Sequence, residues 1–316
     1  MAFNKVDKIW MNGKLVDWDD ARIHVLSHVV HYGSSVFEGE RVYKTSKGPA
    51  CFRMYEHTDR LFNSAKIYRM EIPFTKDEIN QARLDLIRVN KLDACYVRPL
   101  VYRGYENLGV DPGTCPIDVA IAVWPWGKYL GEDALEKGVS VCVSSWTRPA
   151  GNTFPMMAKS GANYANSQLI KMEATRRGYA EGVALDVNGM VSEGSAQNIF
   201  IFWRNVLYTP SFCNSILPGI TRDTVITMAK DMGVKVVETP IPREMLYMAD
   251  EVFFTGSAVE VTPISKIDDI EIGSGRAGEL TLALQKKYFD IVEGRIEDKH
   301  NWLTFVNQPE SVKHQV

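Results

Sequence analysis

Hydrophobic and polar residues alternate with different periods along the chain, and these periods predict where strands and helices lie. In residues 1–126, two segments with helical spacing, 55–70 and 76–90, predict helices. Asn12-Gly13 predicts a two-residue turn in a hairpin over residues 8–22. The remaining strands are predicted at 33–44, 50–54, 95–105 and 117–126. This part of the chain is therefore expected to be a small α+β domain built on an antiparallel sheet.

A second, larger domain is predicted after a polar segment bounded by glycines. Residues 127–138 are interpreted as an interdomain loop, so that 1–126 form the small domain and 139–316 the large one. Runs rich in β-branched residues predict that the large domain is mostly β. Helices are predicted to cover it at 166–177, 220–232 and 277–293. The whole chain is thus assigned to the mixed α+β / α/β class.

Composition and charge argue against several classes of protein, namely nucleic-acid-binding, membrane-spanning and disulfide-rich proteins. The 316 residues carry a net charge of −3 and are 45% hydrophobic, which is typical of a globular protein and gives no basic footprint for nucleic acid. No apolar run is long enough to span a bilayer, and the N-terminus lacks a signal core, so a cytoplasmic location is expected. The five cysteines are scattered without a CxxC pair, which favours reduced thiols over a disulfide framework or zinc knuckle.

Two short motifs suggest other ligands. Residues 273–278 match GxGxxG ahead of a predicted helix, but a dinucleotide site also needs a following parallel strand with an acidic residue. The segment is therefore interpreted as a glycine turn. His24, His28 and His31 include an i,i+4 pair that could bind zinc on a helix, but no Cys or Glu stands at ligand spacing. No metal is expected.

Lys159 is the first candidate for catalysis because it lies among small and apolar residues, in segment 155–168. An apolar setting disfavours the charged form of a lysine, and a neutral amine can attack an aldehyde to form a Schiff base. This is what an enzyme needs to hold pyridoxal phosphate (PLP). From this segment alone, a solvated loop lysine remains the alternative.

Five segments in register carry a resemblance to a known family. They are HYGSSVFEGERVY (31–43), AKSGANYANS (158–167), LDVNGMVSEGSAQNIF (185–200), LPGITRD (217–223) and TGSAVEVTPI (255–264). In this order and spacing they resemble the class IV, D-amino-acid-aminotransferase-like enzymes of PLP fold type IV. Within that group the chain is similar to the branched-chain amino acid aminotransferases, over about residues 10–302.

The resemblance implies PLP-dependent transamination of L-leucine, L-isoleucine and L-valine with 2-oxoglutarate, giving branched-chain 2-oxo acids and L-glutamate. It implies that Lys159 bonds to the aldehyde and then moves the substrate Cα proton, that Glu193 faces the pyridine nitrogen, and that Tyr164 contacts the cofactor O3′. The phosphate would lie at a helix N-terminus, where N–H groups and the helix dipole favour an anion. The residues implied for it are Arg60, Leu217, Gly219, Ile220, Thr221 and Ser257.

The same resemblance implies a substrate pocket and an assembly. Tyr32 matches a tyrosine that reaches in from a neighbouring subunit, which implies a homodimer or higher homo-oligomer. Tyr96 and Arg98 lie i,i+2 on one strand, and Arg98 is the candidate for the γ-carboxylate of glutamate; an ion pair within the sheet is the alternative role. Arg41 is the next candidate. The pocket residues implied are Tyr32, Phe37, Gly39, Tyr96, Arg98, Trp126, Tyr129, Ser257 and Ala258.

Two departures from the family bear on substrate range. Glu40 stands where an apolar or small residue is usual, and loop 102–107 is bulkier and more charged; both are expected near the pocket mouth. A D-amino-acid or (R)-amine transaminase, or an aminodeoxychorismate lyase-like enzyme of the same fold, therefore remains an alternative. A different class, in which the glycine-rich loops bind another phosphate or nothing, is the second alternative.

Overall fold

The computed structural model describes residues 4–127, 130 and 133–307. They divide into two compact units, Met1–Gly127 with Asp290–Val316 and Lys128–Phe289. Each unit has its own sheet and its own hydrophobic core. Mixed helices and sheets place the chain in the predicted fold class.

Strands and short to medium helices make up both units. In chain order, the strands are β1 (Lys8–Met11), β2 (Lys14–Asp17), β3 (Ser35–Phe37), β4 (Glu40–Thr45), β5 (Gly48–Phe52), β6 (Cys95–Arg103), β7 (Ile117–Trp124), β8 (Val139–Val143), β9 (Glu181–Leu185), β10 (Val191–Gly194), β11 (Asn198–Trp203), β12 (Val206–Thr209), β13 (Lys235–Glu238), β14 (Glu251–Gly256), β15 (Glu260–Ile267), β16 (Ile270–Glu271) and β17 (Leu303–Phe305). The helices are α1 (His28–Tyr32), α2 (Met54–Ile67), α3 (Lys76–Val89), α4 (Ala134–Lys137), α5 (Asn163–Arg176), α6 (Ile220–Asp231), α7 (Met245–Met248) and α8 (Glu279–Val292).

The first unit is an antiparallel sheet with two helices packed against it. Its strand order is β17-β5-β4-β6-β7-β1-β2, with β3 paired to β6. Apolar residues of α2 and α3, such as Leu61 and Ile79, are buried against sheet residues such as Val97 and Ile121. Thr75 begins α3 with a capping box to Glu78, which satisfies N–H groups that the helix itself leaves open. The predicted antiparallel sheet is confirmed.

The second unit is a mixed sheet with helices against it. Its strand order is β10-β9-β8-β15-β14-β11-β12-β13, with β16 paired to β15. Strand β8 runs parallel to both β9 and β15, and β12 runs parallel to β13. The core is made by inward residues of these strands, among them Val141, Ile199 and Phe254. None of the helices in the described residues is long and apolar enough to cross a lipid bilayer.

The end of the chain departs from the predicted large domain of residues 139–316. Residues 290–307 group with the first unit because β17 pairs antiparallel with β5, where Leu303 faces Phe52. Arg53 also donates its backbone N–H to the carbonyl of Trp302 at 2.6 Å. Within the predicted loop of 127–138, residues 134–137 form helix α4, and Ala134 is buried in the second core. Strand β17 has three residues, which is too short for a hydrophobic pattern to indicate the strand with which it pairs.

Glu40 lies in a different place from the one that the sequence predicts. Its side chain is fully buried in the first unit, and the expectation that it lies at a pocket mouth is wrong. Arg83 of α3, also fully buried, donates from Nη1 to Glu40 Oε2 at 3.3 Å and to Thr58 Oγ1 at 2.8 Å. Burial raises the pKa of Glu40 to about 7 against the opposing charge of Arg83, with the Glu38 carboxylate adding to the rise.

This buried carboxyl predicts a pH dependence of stability. Because the pKa of about 7 in the folded protein lies above the ordinary 4.5, the stabilisation from binding this proton is complete below about pH 4.5. It is lost as the pH rises through about 7. Relative to Glu40→Gln, the wild-type free energy of unfolding should therefore fall by up to about 3 kcal/mol between pH 4.5 and 8. Urea unfolding of both proteins across this range measures it.

The Gln variant is the reference because Glu38, His57 and other groups titrate in both proteins. A constant difference between the two proteins reports packing around Arg83, whereas only the change with pH reports the titration of Glu40. Identical pH dependences in the two proteins would contradict the raised pKa.

Candidate active site

Lys159 lies in the second unit, four residues before α5 begins. The helix starts at Asn163, three residues earlier than predicted, because Ala162 already has helical backbone angles (φ −60°, ψ −36°). This start places Tyr164 in the first turn, and Lys159 Nζ donates to its hydroxyl at 2.7 Å. Both side chains are half-buried. Asn163 holds the preceding loop by donating from Nδ2 to the carbonyl of Ala158 at 3.1 Å.

Glu193 lies on β10 and its side chain is buried. Its Oε2 accepts from Asn198 Nδ2 at 2.9 Å and from the backbone N–H of Leu217 at 3.2 Å. Its Oε1 lies 3.3 Å from Arg148 Nη2. Burial raises the pKa of Glu193, and Arg148, the Leu217 N–H, Lys159 and Arg222 oppose that rise, in that order. The carboxyl is thus buried but surrounded by donors and positive charge.

The N-terminus of α6 is where the sequence predicts a phosphate site. The helix begins after Gly219 without a side-chain cap, and both Ile220 and Thr221 are buried in its first turn. Gly219 has to be glycine because a Cβ atom there would lie 1.8 Å from Asn198 Oδ1. Asn198 is the residue that also contacts Glu193, so this glycine allows the helix start and the carboxylate to share one side chain.

Two further predicted cofactor residues have different surroundings. Leu217 directs its backbone N–H at Glu193, so it contributes to holding that carboxylate. Ser257 and its neighbour Ala258 lie half-buried in the turn between β14 and β15.

Arg60 lies on α2 of the first unit and is held by a buried carboxylate. Its Nε and Nη2 donate to Glu38 Oε1 and Oε2 at 2.7 and 2.8 Å, a bidentate pair. His57, one turn earlier on the same helix, donates from Nδ1 to Glu38 Oε2 at 2.6 Å. Glu38 and His57 are fully buried, whereas Arg60 keeps part of its side chain exposed.

The charges of this trio follow from its contacts. Burial acts to raise the pKa of Glu38, but the charge and hydrogen bonds of Arg60, with the hydrogen bond from His57, outweigh it and hold the pKa well below its usual range. Burial lowers the pKa of His57 to about 4 in spite of Glu38, so its imidazole is neutral at pH 7. One carboxylate and one guanidinium therefore carry the charge, and the imidazole fixes the carboxylate.

Arg98 lies among aromatic rings of the first unit. Its guanidinium carbon is 4.8 Å from the ring centroid of Phe37, 5.3 Å from that of Tyr96 and 5.8 Å from that of Trp124. Within the described residues it forms no ion pair, and its buried Nε has no hydrogen-bond partner. The alternative of an ion pair within the sheet therefore has no partner in the described part of the chain.

Gly39 is required for the position of Tyr96. A Cβ atom at Gly39 would lie 1.9 Å from the Tyr96 hydroxyl, so any other residue would displace that ring. Trp126 packs on the other side of the same tyrosine, with ring centroids 4.7 Å apart. Phe37, Gly39, Tyr96, Arg98 and Trp126 are thus brought together in one unit, as the sequence predicted for the pocket wall.

The remaining predicted residues have simpler outcomes. Tyr129 lies outside the described residues. Tyr32 ends α1 and is 43% exposed. In loop 102–107, Tyr102 and Arg103 are buried, and Arg103 donates to the carbonyls of Tyr68 and Arg69; only residues 105–107 are exposed.

The GxGxxG segment and the histidines that suggested a dinucleotide or zinc site have structural roles in the described residues. Gly273 and Gly275 have φ of +54° and +70° in the turn before α8, and the strand after that helix, β17, pairs antiparallel in the other sheet. His28 uses both ring nitrogens, with Ser34 Oγ at 2.7 Å and the carbonyl of Gly109 at 2.9 Å. His31 Nε2 contacts the carbonyl of Val25 at 3.0 Å.

Comparison with known proteins identifies the family. Residues 35–267 match the family described as Amino-transferase class IV. The chain belongs to this family. A branched-chain-amino-acid aminotransferase of Escherichia coli (strain K12) is 50% identical over 309 residues, which are 98% of this chain and 100% of that protein.

Solved structures agree with this assignment. The crystal structure of the Escherichia coli branched-chain amino acid aminotransferase superimposes with a TM-score of 0.94 at 50% identity, over 96% of this chain and 100% of that one. The branched-chain amino acid aminotransferase from Thermobaculum terrenum, in its PLP-form, has a TM-score of 0.90 at 35% identity, over 96% and 99% of the two chains.

Sequence reasoning missed the residues of this class IV aminotransferase that hold others in place. Glu38 and His57 hold Arg60, and Arg148 and Asn198 hold Glu193. His57 and Arg60 are three residues apart on a predicted helix, so their side chains lie on one face. This spacing could have indicated that His57 and Arg60 share a partner. Arg148 lies in a loop far along the chain from Glu193, and nothing local to its sequence indicates that contact.

Proposed function

We propose that this protein is a PLP-dependent branched-chain amino acid aminotransferase, which exchanges the amino group of L-leucine, L-isoleucine or L-valine with 2-oxoglutarate. The observation that carries the proposal is the Lys159–Tyr164 contact of 2.7 Å in the same unit as the buried Glu193 carboxyl. The relatives named above support the substrate class.

The residues present fit PLP in the chemistry of their donor groups. Lys159 offers an amine for the aldehyde, and Tyr164 a phenol beside it for O3′. Glu193 offers a buried carboxyl for the ring nitrogen. The uncapped start of α6, with Gly219, Ile220 and Thr221, and the turn at Ser257 offer N–H and hydroxyl groups for a phosphate. Arg60 offers a guanidinium, whose geometry matches that of a phosphate.

When bound, PLP supplies an aldehyde that takes up the amino group and a ring that draws electrons from the substrate Cα. The protein's own groups do the rest. Lys159 Nζ moves the proton at the substrate Cα, and the Tyr164 hydroxyl orients that amine. Glu193 holds a proton at the ring nitrogen, and its buried setting keeps water from competing for it.

A transaminase of this kind has to accept both an aliphatic and an acidic side chain. We infer that the wall of Phe37, Tyr96 and Trp126 takes the aliphatic chain and that Arg98 takes the γ-carboxylate. The surroundings of Arg98 support this inference. Aromatic rings pack against its guanidinium, and no carboxylate of the described residues forms an ion pair with it. A lyase of the same fold has no such double requirement, so a half-reaction assay with leucine separates it from the proposed transaminase.

We also propose that a second copy of the chain covers part of the first unit. Apolar side chains are exposed along residues 23–32 and 105–110, including Val25 at 68%, Val30 at 50% and Val110 at 84%. His28 joins the two stretches through its backbone N–H to the carbonyl of Gly104 and its ring to that of Gly109. Contiguous apolar surface of this kind marks an interface. Tyr32 lies within it, as expected for a residue that contributes to a neighbouring subunit.

We place the enzyme in the cytoplasm. The cysteines support this, since all five are free and four of them are buried, with no disulfide in the described residues. Fractionation of the native host, followed by detection of the protein, tests the location.

Replacement of Lys159 tests the proposed function first. Wild-type protein should transaminate L-leucine with 2-oxoglutarate, and borohydride should attach PLP to Lys159. Lys159→Ala should lose at least about a hundredfold in turnover, because the proton-transfer group is gone. The exposed Lys137, changed to Ala, is the control and should behave as wild type. Turnover near wild type in Lys159→Ala would overturn the assignment.

Arg98 tests the double substrate requirement. Leucine has no group for a guanidinium, whereas glutamate and 2-oxoglutarate would lose a charge-assisted contact that typically costs about 2–5 kcal/mol to remove. Arg98→Gln should therefore lower kcat/KM for the acidic substrates at least about tenfold more than for leucine. Half-reaction kinetics with each amino acid measure this. Exposed Arg176, changed to Gln, is the control, and Arg41→Gln tests the next candidate. Equal losses for leucine and glutamate would show that Arg98 is structural.

The exposed apolar patch predicts the assembly state. Wild-type protein should sediment as a dimer or larger, and Val25→Asp with Val30→Asp should shift it towards monomer and lower activity, because charges in an apolar interface are costly. Val89→Asp, at a valine of α3 that is 39% exposed outside the patch, is the matched control. Sedimentation that shows a fully active wild-type monomer would remove Tyr32 from the site.

A further inference from the structure

Arg148 is a buried arginine that no step of the proposed reaction uses. Only 2% of it is exposed, and it lies in the loop after β8. Its Nη2 donates to the carbonyls of Gly194 and Ser195 at 2.7 and 2.8 Å, the two residues that follow Glu193. Its Nη1 donates to Ser167 Oγ at 2.9 Å and, more weakly, to Asn166 Oδ1 at 3.3 Å.

These contacts join two elements that carry proposed catalytic groups. Ser167 and Asn166 lie on α5, the helix whose first turn presents Tyr164 to Lys159. Gly194 and Ser195 follow Glu193 at the end of β10. A guanidinium is planar and rigid, so the donors on its two nitrogens fix the helix and the strand at one spacing. A flexible ammonium could not bond to all four acceptors in this way.

The charge of Arg148 also needs a partner. A buried cation without a nearby anion is costly, and Glu193 Oε1, 3.3 Å from Arg148 Nη2, is its carboxylate partner in the described residues. Two other cations, Lys159 and Arg222, also oppose the rise in the pKa of Glu193, but neither forms an ion pair with it in the described residues. Arg222 is engaged with the carbonyl of Pro210 and with Glu238, and Lys159 with Tyr164. Arg148 is therefore the cation in direct contact with Glu193.

We propose that Arg148 is a positioning residue for the reaction, which keeps Glu193 ionised and fixes it relative to the Lys159–Tyr164 pair. This rests on the proposed function, since it gives Glu193 its task at the ring nitrogen. The direction of the charge effect agrees with the geometry. Burial raises the pKa of Glu193, and Arg148 is the first of the groups that oppose it. Without Arg148, the carboxyl would hold its own proton.

The test measures the Glu193 carboxyl directly. The full-length chain is labelled with ¹³C at the glutamate side-chain carboxyl carbons, and the Glu193 signal is assigned by its absence in Glu193→Gln. The signal is titrated before PLP is added, and PLP is then titrated into the same samples at fixed pH. Arg148→Met removes the charge, and Arg148→Lys keeps the charge but loses the planar fork. Arg222→Met is the matched control, since Arg222 is equally buried but does not contact Glu193.

The pKa of Glu193 should rise by about 1–3 units in Arg148→Met, the size of effect expected for losing an adjacent opposite charge. It should stay near wild type in Arg148→Lys and move much less in Arg222→Met. Arg148→Met should also bind PLP more weakly than Arg148→Lys. A purely structural role would lower stability in both Arg148 variants without raising this pKa. If Arg148→Met does not fold, Arg148→Gln, which keeps N–H donors without the charge, takes its place.

An unchanged Glu193 pKa in a folded, uncharged Arg148 variant would overturn the proposal, as would an equal rise in Arg222→Met. Failure of the proposed function has a different signature. In that case the wild-type chain would take up no PLP and develop no visible absorption band, whereas the comparison of Glu193 pKa values would still decide the role of Arg148.

Discussion

The second unit is organised around one buried carboxylate. Glu193 is removed from water, and a lone carboxylate in such a place would be protonated rather than charged. Three separate segments supply the groups that oppose this: Arg148 from the loop after β8, Asn198 from β11, and the N–H of Leu217 before α6. The local folds of these segments are therefore tied to one negative charge.

The same constraint explains small features around Glu193. Gly219 leaves room for Asn198, whose amide bonds both Glu193 and the carbonyl of Leu217. Arg148 reaches the carboxylate while it bonds the backbone that follows it. Each contact satisfies a polar group that burial would otherwise leave open, so the arrangement is specific as well as stabilising. This is the kind of environment in which a carboxyl can hold a proton at a neighbouring nitrogen atom.

The first unit handles its buried charges in two different ways. Glu38 is bidentate to Arg60 and receives a further bond from a neutral His57, and this holds its pKa well below the usual range. Two residues later, Glu40 has Arg83 at 3.3 Å, with the charge of Glu38 nearby, and burial raises its pKa to about 7. The charge and bidentate bonds of Arg60 outweigh burial at Glu38, whereas burial outweighs the charge of Arg83 at Glu40.

The sequence by itself determined the family, the mixed fold and the antiparallel first sheet, because local spacing and short motifs indicate each of them. It also predicted Lys159, Tyr164 and Glu193 as site residues, which the structure places in one unit. Only the tertiary structure decided that Glu40 faces the interior and that residues 290–307 join the first unit through β17. It alone showed that Arg148 holds Glu193 and that Glu38 holds Arg60. Such partners are set by the packing of elements far apart in the chain, and a pattern with a period of two or 3.6 residues carries no information about them.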